Sequence, residues 1–326
     1  MNDLPSCSII IRCLNEEQHI GRLLCGILQQ TVRDVQIIVV DSGSTDATLA
    51  IASRFPVTVV HIKPEDFSFG RSINLGCSHA TGDILVFASA HVYPVYENWL
   101  ERLLQAFDDP KVAMVYGKQR GNGQTKYSEC RLFEQWFPEA SNSDQDSPFC
   151  NNANAAIRRE VWEQLPYDES LTGLEDIDWA RRARTLGYKI AYVAEAQIIH
   201  LHEESLGKIY NRYRREAIAL KRIFPHERFS LWDFFRLFIG NTVSDARHAM
   251  RQSSLLRNLA GIVSFRLMQL WGTYRGFSQH GPVRAHLRQR LYYPASGKQA
   301  KEKVAEDGPR IDYANVNLQE AECFID

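Results

Sequence analysis

Short apolar runs alternate with helix-like segments through the first half of the chain. Strands are predicted at 8–11, 35–40, 57–62 and 84–88, and helices at 17–30, 45–54, 68–80 and 97–108. Unbroken apolar runs such as IIVV at 37–40 are typical of strands that are covered on both faces. The alternation therefore predicts a doubly wound α/β sheet with mostly parallel strands.

The rhythm changes after a further predicted strand at 112–116. Helices are predicted at 127–137 and 175–185, and short strands at 154–157, 190–193 and 198–201. From residue 205 the apolar residues recur at helical spacing. We therefore predict an α/β domain over 1–204, a basic helical region over 205–294, and a poorly ordered polar tail over 295–326.

Composition is that of an ordinary globular protein. Of the 326 residues, 44% are hydrophobic and 24% are charged. The seven cysteines contain no Cys-x-x-Cys pair, so neither a disulfide framework nor a zinc cluster is expected. The N-terminus lacks a signal-peptide pattern, and no apolar run reaches the roughly 18 residues of a transmembrane helix. These features predict a cytoplasmic protein, with peripheral contact at the inner face of the membrane as an extension of that prediction.

The net charge of −1 conceals two oppositely charged parts. Residues 208–290 carry 16 basic and 4 acidic side chains, whereas residues 1–207 carry 18 basic and 28 acidic ones. The basic region can lie on an anionic membrane surface, pack on the α/β domain with its arginines in solvent, or form a homodimer interface. Membrane contact is the favoured interpretation. No nucleic-acid reading motif accompanies the charge, so nucleic acid is not an expected partner.

Polar residues gather where the predicted strands end. Asp41 ends one strand, Ser89-Ala90-His91 ends another, and Arg71 and Asn74 lie on the helix between them. Because open α/β sheets bind ligands outside the carboxyl ends of their strands, this cluster predicts a binding site. For Asp41 ligand contact is favoured over capping of the next helix, and for Asp46 capping is favoured.

Four segments together resemble the family 2 glycosyltransferases, which have the GT-A fold. They are NEE at 15–17, DSGSTD at 41–46, RSINLG at 71–76 and GLED at 173–176, within a resemblance covering residues 6–202. The resemblance implies inverting transfer of a sugar from a nucleotide-diphosphate donor to a hydroxyl of a glycan or lipid-linked acceptor, in polysaccharide or glycolipid assembly. The expected donor-binding residues are Arg12, Asn15, Glu16, Asp41, Arg71, Asn74, Ser89 and Ala90. Arg12 can equally brace its loop.

The resemblance assigns the catalytic base to Asp176. Inverting transfer needs a carboxylate that removes the proton from the attacking hydroxyl. The alternative is that Glu175 and Asp176 only favour the start of a helix electrostatically. The expected acceptor-side residues are Asn152, Asn154, Glu175 and Trp179, although the asparagines also suit a turn and tryptophans also suit the core.

One departure from the family concerns the metal. Members usually carry Asp-x-Asp where this chain has Ser89-Ala90-His91. We predict a divalent-cation site, for Mn²⁺ or Mg²⁺, built from His91 and one of His200 or His202, because alternate residues of an extended segment face the same side. The alternative is a metal-free site in which arginines neutralise the diphosphate, from the set Arg71, Arg212, Arg214 and Arg215. The departure also supports a second functional hypothesis, a catalytically silent member that binds nucleotide sugars or partner proteins.

Overall fold

The computed structural model describes residues 4–202, 204–279 and 308–313. Its strands are β1 Cys7–Cys13, β2 Val35–Asp41, β3 Thr58–His61, β4 Ile84–Ser89, β5 Val92–Pro94, β6 Val112–Arg120, β7 Asn154–Arg158 and β8 Lys189–His200. Its α-helices are α1 Ile20–Leu28, α2 Thr48–Ala52, α3 Phe69–Ser78, α4 Trp99–Gln105, α5 Tyr127–Trp136, α6 Arg159–Gln164, α7 Glu175–Thr185, α8 Leu206–Ile223, α9 Leu231–Arg251 and α10 Leu255–Phe277.

The strands form one eight-stranded sheet in the order β3-β2-β1-β4-β7-β6-β8-β5. Strands β1 to β4 are mutually parallel, whereas β7 runs antiparallel to β4 and β6, and β5 runs antiparallel to β8. The chain order reverses at β1, which lies between β2 and β4. This is the switch point at which open α/β sheets bind ligands, and the predicted mixed, mostly parallel α/β class is confirmed.

Helices cover both faces of the sheet. Alternate residues of β1 point to opposite sides, so Ile9 and Ile11 join the core beneath α1 and α4, while Ile10 joins the core beneath α3 and α7. Trp99 and Trp179 are fully buried, one in each core. Burial on both faces explains the unbroken apolar strands of the sequence.

Several element boundaries differ from the sequence prediction. The segments predicted at 190–193 and 198–201 are one twelve-residue strand, β8. The short elements β5 and α6 were not predicted, since three and six residues carry too little periodicity to be recognised. Helix α1 begins at Ile20 rather than at 17, because Asn15 has a φ of 56° and turns the chain before the helix.

The C-terminal helices share a core with the α/β domain. Leu132 of α5 and Ile177 of α7 pack with apolar residues of α8 and α10. Asp245 of α9 and Arg266 of α10 form a buried ion pair at 2.8 Å, which ties the last two helices together. The chain passes from strand to helix between His200 and Leu206, near the predicted boundary at 204, but the helical region is packed on the domain that precedes it.

Among the helices in the described part of the chain, none combines the length and apolarity needed to span a bilayer. Most of the predicted tail lies outside the described residues. Its segment 308–313 contacts β5, since the N–H of Ile311 donates to the carbonyl of Val95 and the hydroxyl of Tyr313 donates to that of Pro94. These six residues therefore lie against the α/β domain.

Helices α8 and α10 approach closely at two glycines, and this contact yields a stability prediction. A methyl group on Gly272 would overlap the carbonyl oxygen of Tyr210, which belongs to the backbone of α8 and cannot move aside. Gly272→Ala should lower the free energy of unfolding by about 1–3 kcal/mol. Gly261→Ala, in the same helix with open space around it, should instead raise it by about 1 kcal/mol through helix propensity. Urea denaturation of both variants measures the difference, and equal effects would contradict the close packing.

Candidate active site

A cleft of about 750 Å³ opens at the carboxyl edge of the sheet. Its wall is built from the loop after β1, the ends of β4 and β8, the start of α7 and the first half of α8. The predicted residues that line it are Arg12, Asn15, Glu16, Ser89, His91, Asn152, Glu175, Asp176, His200 and His202. The volume is in the range of small-molecule sites.

Asp176 lies buried at the first turn of α7. One carboxylate oxygen accepts the N–H of Asn152 at 3.1 Å, and the other accepts the N–H of Ile177 at 2.9 Å. Helix α7 is entered through Leu174, whose φ of 56° is unusual for a residue other than glycine. The backbone therefore holds the carboxylate in place while its outer face remains part of the cleft.

Burial raises the pKa of Asp176 well above its usual range, and the neighbouring charge of Glu175 raises it further. The two backbone N–H groups and Arg12 act in the opposite direction but do not cancel the effect. A carboxyl with a raised pKa is a stronger base once it is ionised, which suits removal of a hydroxyl proton near neutral pH.

Glu175 is paired rather than free. Its carboxylate accepts a hydrogen bond from Arg12 at 3.3 Å. The guanidinium groups of Arg12 and Arg215 lie 5.2 and 4.6 Å from the centre of the Phe69 ring. Arg12 therefore braces the cleft as well as lining it. Phe69 is a cleft residue that was not predicted, whereas Arg215 belongs to the arginines of the metal-free alternative.

Three histidines converge beside Asp176. His91 follows β4, whereas His200 ends β8 and His202 follows it, and the pairing of Val92 with His200 brings the two segments together. One ring nitrogen from each of the three lies within 4.8 Å of those from the other two. The expectation was His91 with one of the other two, and the structure brings all three together.

Each imidazole is oriented by a hydrogen bond at Nδ1. His91 contacts Glu16 at 2.8 Å, His200 contacts Gln119 at 2.7 Å, and His202 contacts Glu129 at 2.7 Å. A partner at Nδ1 leaves Nε2 as the nitrogen with a free lone pair, and this pattern is typical of metal-ligating histidines. Two of the partners, Gln119 and Glu129, lie in no recognisable motif.

The charge state of the cluster also suits a metal. Burial and the neighbouring histidines lower the pKa of His200 well below its ordinary value, and burial lowers the pKa of His202. Neutral imidazoles are the form that ligates metals. His200 Nε2 is buried without a hydrogen-bond partner among the described residues, as expected of a nitrogen that binds a metal ion.

Arg212 belongs to a buried ion network. Its guanidinium lies 2.7 Å from Glu129 and 2.8 Å from Glu204. Burial alone would raise the pKa of Glu129, but His202 and Arg212 outweigh it and hold that pKa at about 2. Arg212 is thus already neutralised, which weakens the metal-free alternative in which it meets the diphosphate. Of that set, only Arg212 and Arg215 line the cleft.

Several predicted donor contacts lie outside the cleft. Asp41 is 2% exposed and accepts the N–H groups of Gly43 and Ser44 at 3.0 and 3.2 Å, within the turn that follows β2, so it does not cap α2. Arg71 and Asn74 line a separate pocket of about 470 Å³ with His61 and Lys63. The predicted convergence of all these residues on one cleft is therefore corrected.

The remaining corrections concern side chains that the fold uses elsewhere. Ala90 is fully buried in the core beneath α1 and α4. The side chain of Asn154 accepts the indole N–H of Trp99 and donates to the carbonyls of Lys118 and Ala196. Trp179 is fully buried and donates to the carbonyl of Leu165. These residues therefore do not line the cleft, whereas Asn152 does, with its Nδ2 lacking a hydrogen-bond partner among the described residues.

Asn74 and Glu16 have structural partners that explain their positions. Asn74 accepts the indole N–H of Trp162 and the N–H of Tyr167, so it fixes the segment leading to α7. Glu16 lines the cleft through its contact with His91, so the structure places it as a positioning residue for the histidine cluster. Asn15 faces the cleft while its side chain accepts the N–H of Thr45.

Comparison with known proteins finds a family match for the first half of the chain. Residues 8–165 match the family described as Glycosyl transferase family 2. The O-antigen chain rhamnosyltransferase WbaN of Salmonella anatum is 33% identical over 196 residues, covering 57% of this chain and 62% of that protein. The O-antigen chain rhamnosyltransferase RfbN of Salmonella typhimurium is 29% identical over 218 residues, covering 63% of this chain and 69% of that protein. The match thus spans about two thirds of these relatives.

The fold has solved counterparts as well. The mannosyltransferase PcManGT from Pyrobaculum calidifontis, solved with GDP-Man and Mn²⁺, superposes with a TM-score of 0.58 at 20% identity over 85% of both chains. The architecture is that of a GT-A glycosyltransferase. The match to glycosyltransferase family 2 over residues 8–165 confirms the resemblance seen in the sequence.

Because the pKa of Asp176 is raised, ionisation of this buried carboxyl at neutral pH lowers the stability of the wild-type protein. The protonated carboxyl favours the fold below the unfolded pKa of about 3.9, and that contribution is lost as pH rises through the higher folded pKa. Asp176→Asn should therefore raise the melting temperature relative to wild type, and the difference should grow from pH 5 to pH 8. Thermal melts across that range test this.

A matched control lies two residues further along the helix. Asp178 pairs with Arg181 at 2.9 Å and with Arg182 at 2.7 Å, so Asp178→Asn removes stabilising contacts. It should lower the melting temperature at neutral pH. A fall in the melting temperature of Asp176→Asn at pH 8 would show that the ionised carboxylate is not costly to bury.

Proposed function

We propose that this protein transfers a sugar from a nucleotide-diphosphate donor to an acceptor hydroxyl with inversion at the anomeric carbon. The observation that carries the proposal is a buried aspartate of raised pKa, Asp176, in the same cleft as three converging histidines. The match to glycosyltransferase family 2 supports the reaction class. The names of the two Salmonella relatives support rhamnose as the sugar and a surface polysaccharide as the product.

In this reaction Asp176 accepts the proton of the acceptor hydroxyl as its oxygen attacks the anomeric carbon. The bond between that carbon and the diphosphate oxygen breaks, and the nucleoside diphosphate leaves. The N–H groups of Asn152 and Ile177 hold the carboxylate in position. Asn152 Nδ2 and the pair of Arg12 with Glu175 offer polar contacts to sugar hydroxyls.

The three histidines would hold a divalent cation, which neutralises charge on the diphosphate when bound. Oxygen ligands suit Mg²⁺, whereas imidazole suits transition metals, so the cluster favours Mn²⁺ or a metal with stronger nitrogen affinity. A relative in fold was solved with Mn²⁺, which supports a divalent cation in this architecture. The intact cluster and Asp176 both argue against the catalytically silent alternative.

We further propose that the acceptor is a lipid-linked glycan and that the basic helical region contacts an anionic membrane surface. The relatives' O-antigen names and the excess of basic residues in 208–290 support this placement. A homodimer through the same helices is the competing arrangement. The donor can be identified by a thermal-shift panel of nucleotide sugars with and without Mn²⁺, because a ligand of the folded form raises its melting temperature.

The role of Asp176 predicts a loss of turnover without a loss of donor binding. Asp176→Asn removes the proton acceptor but keeps the shape of the cleft, so the rate of nucleoside diphosphate release in the presence of acceptor should fall about 10²–10⁴-fold. The thermal shift caused by the donor should remain. Asp178→Asn, which lies outside the cleft, should keep at least a third of the wild-type rate. Near-normal turnover by Asp176→Asn would remove the assignment.

The histidine cluster predicts a metal that co-purifies or titrates with the protein. Wild-type protein should bind one equivalent of Mn²⁺ or Zn²⁺, measured by equilibrium dialysis and elemental analysis. His200→Ala should reduce affinity by about 10-fold or more, and Glu129→Gln, which disturbs the partner of His202, by a similar factor. His226→Ala, at an exposed histidine outside the site, should change nothing. Full transfer activity in a protein stripped of metal would reject the ligand role.

A further inference from the structure

Helix α9 carries an unusual exposed apolar face. We define the α9 stripe as Trp232, Phe235, Ile239, Val243 and Met250, which recur at spacings of three, four and seven residues along one side of the helix. Trp232 is 73% exposed, and Ile239 and Met250 are each 59% exposed. In the described chain these side chains are exposed even though the opposite side of α9 packs on α10.

Helix α10 also has exposed apolar residues along one side. Leu256 is 95% exposed, and Leu259, Val263 and Leu267 follow it along one exposed side. The contacts of Asp245 with Arg266 and of Phe234 with Trp271 show that α9 and α10 run antiparallel and side by side. Exposed apolar residues in this number on one helical hairpin are typical of an interaction site.

The charges of the same hairpin are of one sign. Its acidic residues, Asp233 and Asp245, are both buried. Its exposed charged residues are all arginines, at Arg236, Arg247, Arg251, Arg257 and Arg275. If a second copy of this chain packed on the hairpin about a two-fold axis, arginines of the two copies would lie close together and repel each other. The charge therefore favours an anionic partner over a symmetric dimer.

A basic pocket of about 250 Å³ adjoins the stripe. It is lined by Arg131 of α5 and by Gly240, Ser244, Arg247, His248 and Arg251 of α9. Arg131 contacts Glu134, but no carboxylate among the described residues lies within ion-pair distance of Arg247 or Arg251. Arg247 and Arg251 are therefore the two arginines of this pocket that are suited to bind a phosphate group.

We propose that the α9–α10 hairpin docks on an anionic lipid bilayer, with the α9 stripe in the interface and a lipid phosphate in the Arg131–Arg247–Arg251 pocket. An amphipathic helix of this kind lies in the plane of the membrane, where apolar burial and attraction to anionic lipids add together. The inference rests on the proposed function in one respect, since docking would present the cleft to a lipid-linked acceptor.

Helix α5 connects the pocket to the active site. Arg131 faces the basic pocket, while Glu129 contacts His202 and Phe133 stacks beside His200 on the other side of the same helix. Tyr127 of α5 contacts His248 of α9 at 2.7 Å. A phosphate bound in the pocket would thus be held by the helix that also orients the histidine cluster.

The test is co-sedimentation of the full chain with vesicles of phosphatidylglycerol and phosphatidylcholine, compared with phosphatidylcholine alone. Wild-type protein should partition at least about 10-fold more strongly to the anionic vesicles at low salt. Ile239→Glu and Trp232→Glu should each reduce that partitioning about 10-fold or more, because burial of the stripe is lost. Arg251→Glu should reduce it about five-fold and weaken its dependence on salt.

Matched controls lie on the α/β domain. Leu186→Glu changes a side chain that is 59% exposed, as Ile239 is, and Lys111→Glu reverses an exposed charge away from both pockets. Both should partition like wild type, and all variants should melt within about 3 °C of it. Equal partitioning by Ile239→Glu and wild type, or equal binding to neutral vesicles, would overturn the proposal. The proposal would also be overturned if sedimentation velocity showed a wild-type dimer that Ile239→Glu dissociates, while the wild-type protein did not bind vesicles.

Transfer to a water-soluble acceptor is measured in parallel so that the two proposals can fail separately. Vesicle binding with the expected variant pattern but without nucleoside diphosphate release would leave docking standing and remove the proposed activity. Nucleoside diphosphate release without vesicle binding would support the proposed activity and remove the docking proposal.

Discussion

Antiparallel pairing of β5 with the end of β8 is the constraint on which the site depends. It sets Val92 opposite His200, and the N–H of Leu201 donates to the carbonyl of His91 at 3.1 Å. Two segments far apart in the chain thereby present three imidazoles to one point beside Asp176. If β5 slipped by one residue along β8, the side chains of the β5 segment would face the opposite side of the sheet and His91 would leave the cluster.

Two acids near this point are treated in opposite ways by the fold. Asp176 is buried beside Glu175, so its pKa is raised and its ionised form is costly to hold. Glu129 is equally buried but lies between His202 and Arg212, so its pKa is lowered to about 2 and it stays an anion. One carboxylate is thus suited to take up a proton, and the other to orient a ligand. This divergence is the usual mark of groups with distinct tasks in one site.

Sequence patterns predicted the elements with strong periodicity and missed those whose existence depends on a partner. Helix α7 was predicted with its observed bounds, because its polar start and amphipathic body are local properties. Strand β5 has three residues and exists only through its pairing with β8. Arg71 was expected at the donor, yet about half a turn of α3 separates Phe69 in the cleft from Arg71 in a different pocket. Motifs specify residue types and spacing, but not which wall a side chain faces.

The sequence by itself determined the class of sheet, the resemblance to glycosyltransferase family 2, the catalytic candidate Asp176 and the three candidate histidines, because each is carried by local composition and spacing. Only the tertiary structure decided that the histidines meet, that Gln119 and Glu129 orient two of them, and that Asn154 and Trp179 are used by the core. It also decided which side of α9 stays uncovered. The physical reason is that hydrogen-bond partners and burial depend on contacts between distant segments, which no local pattern encodes.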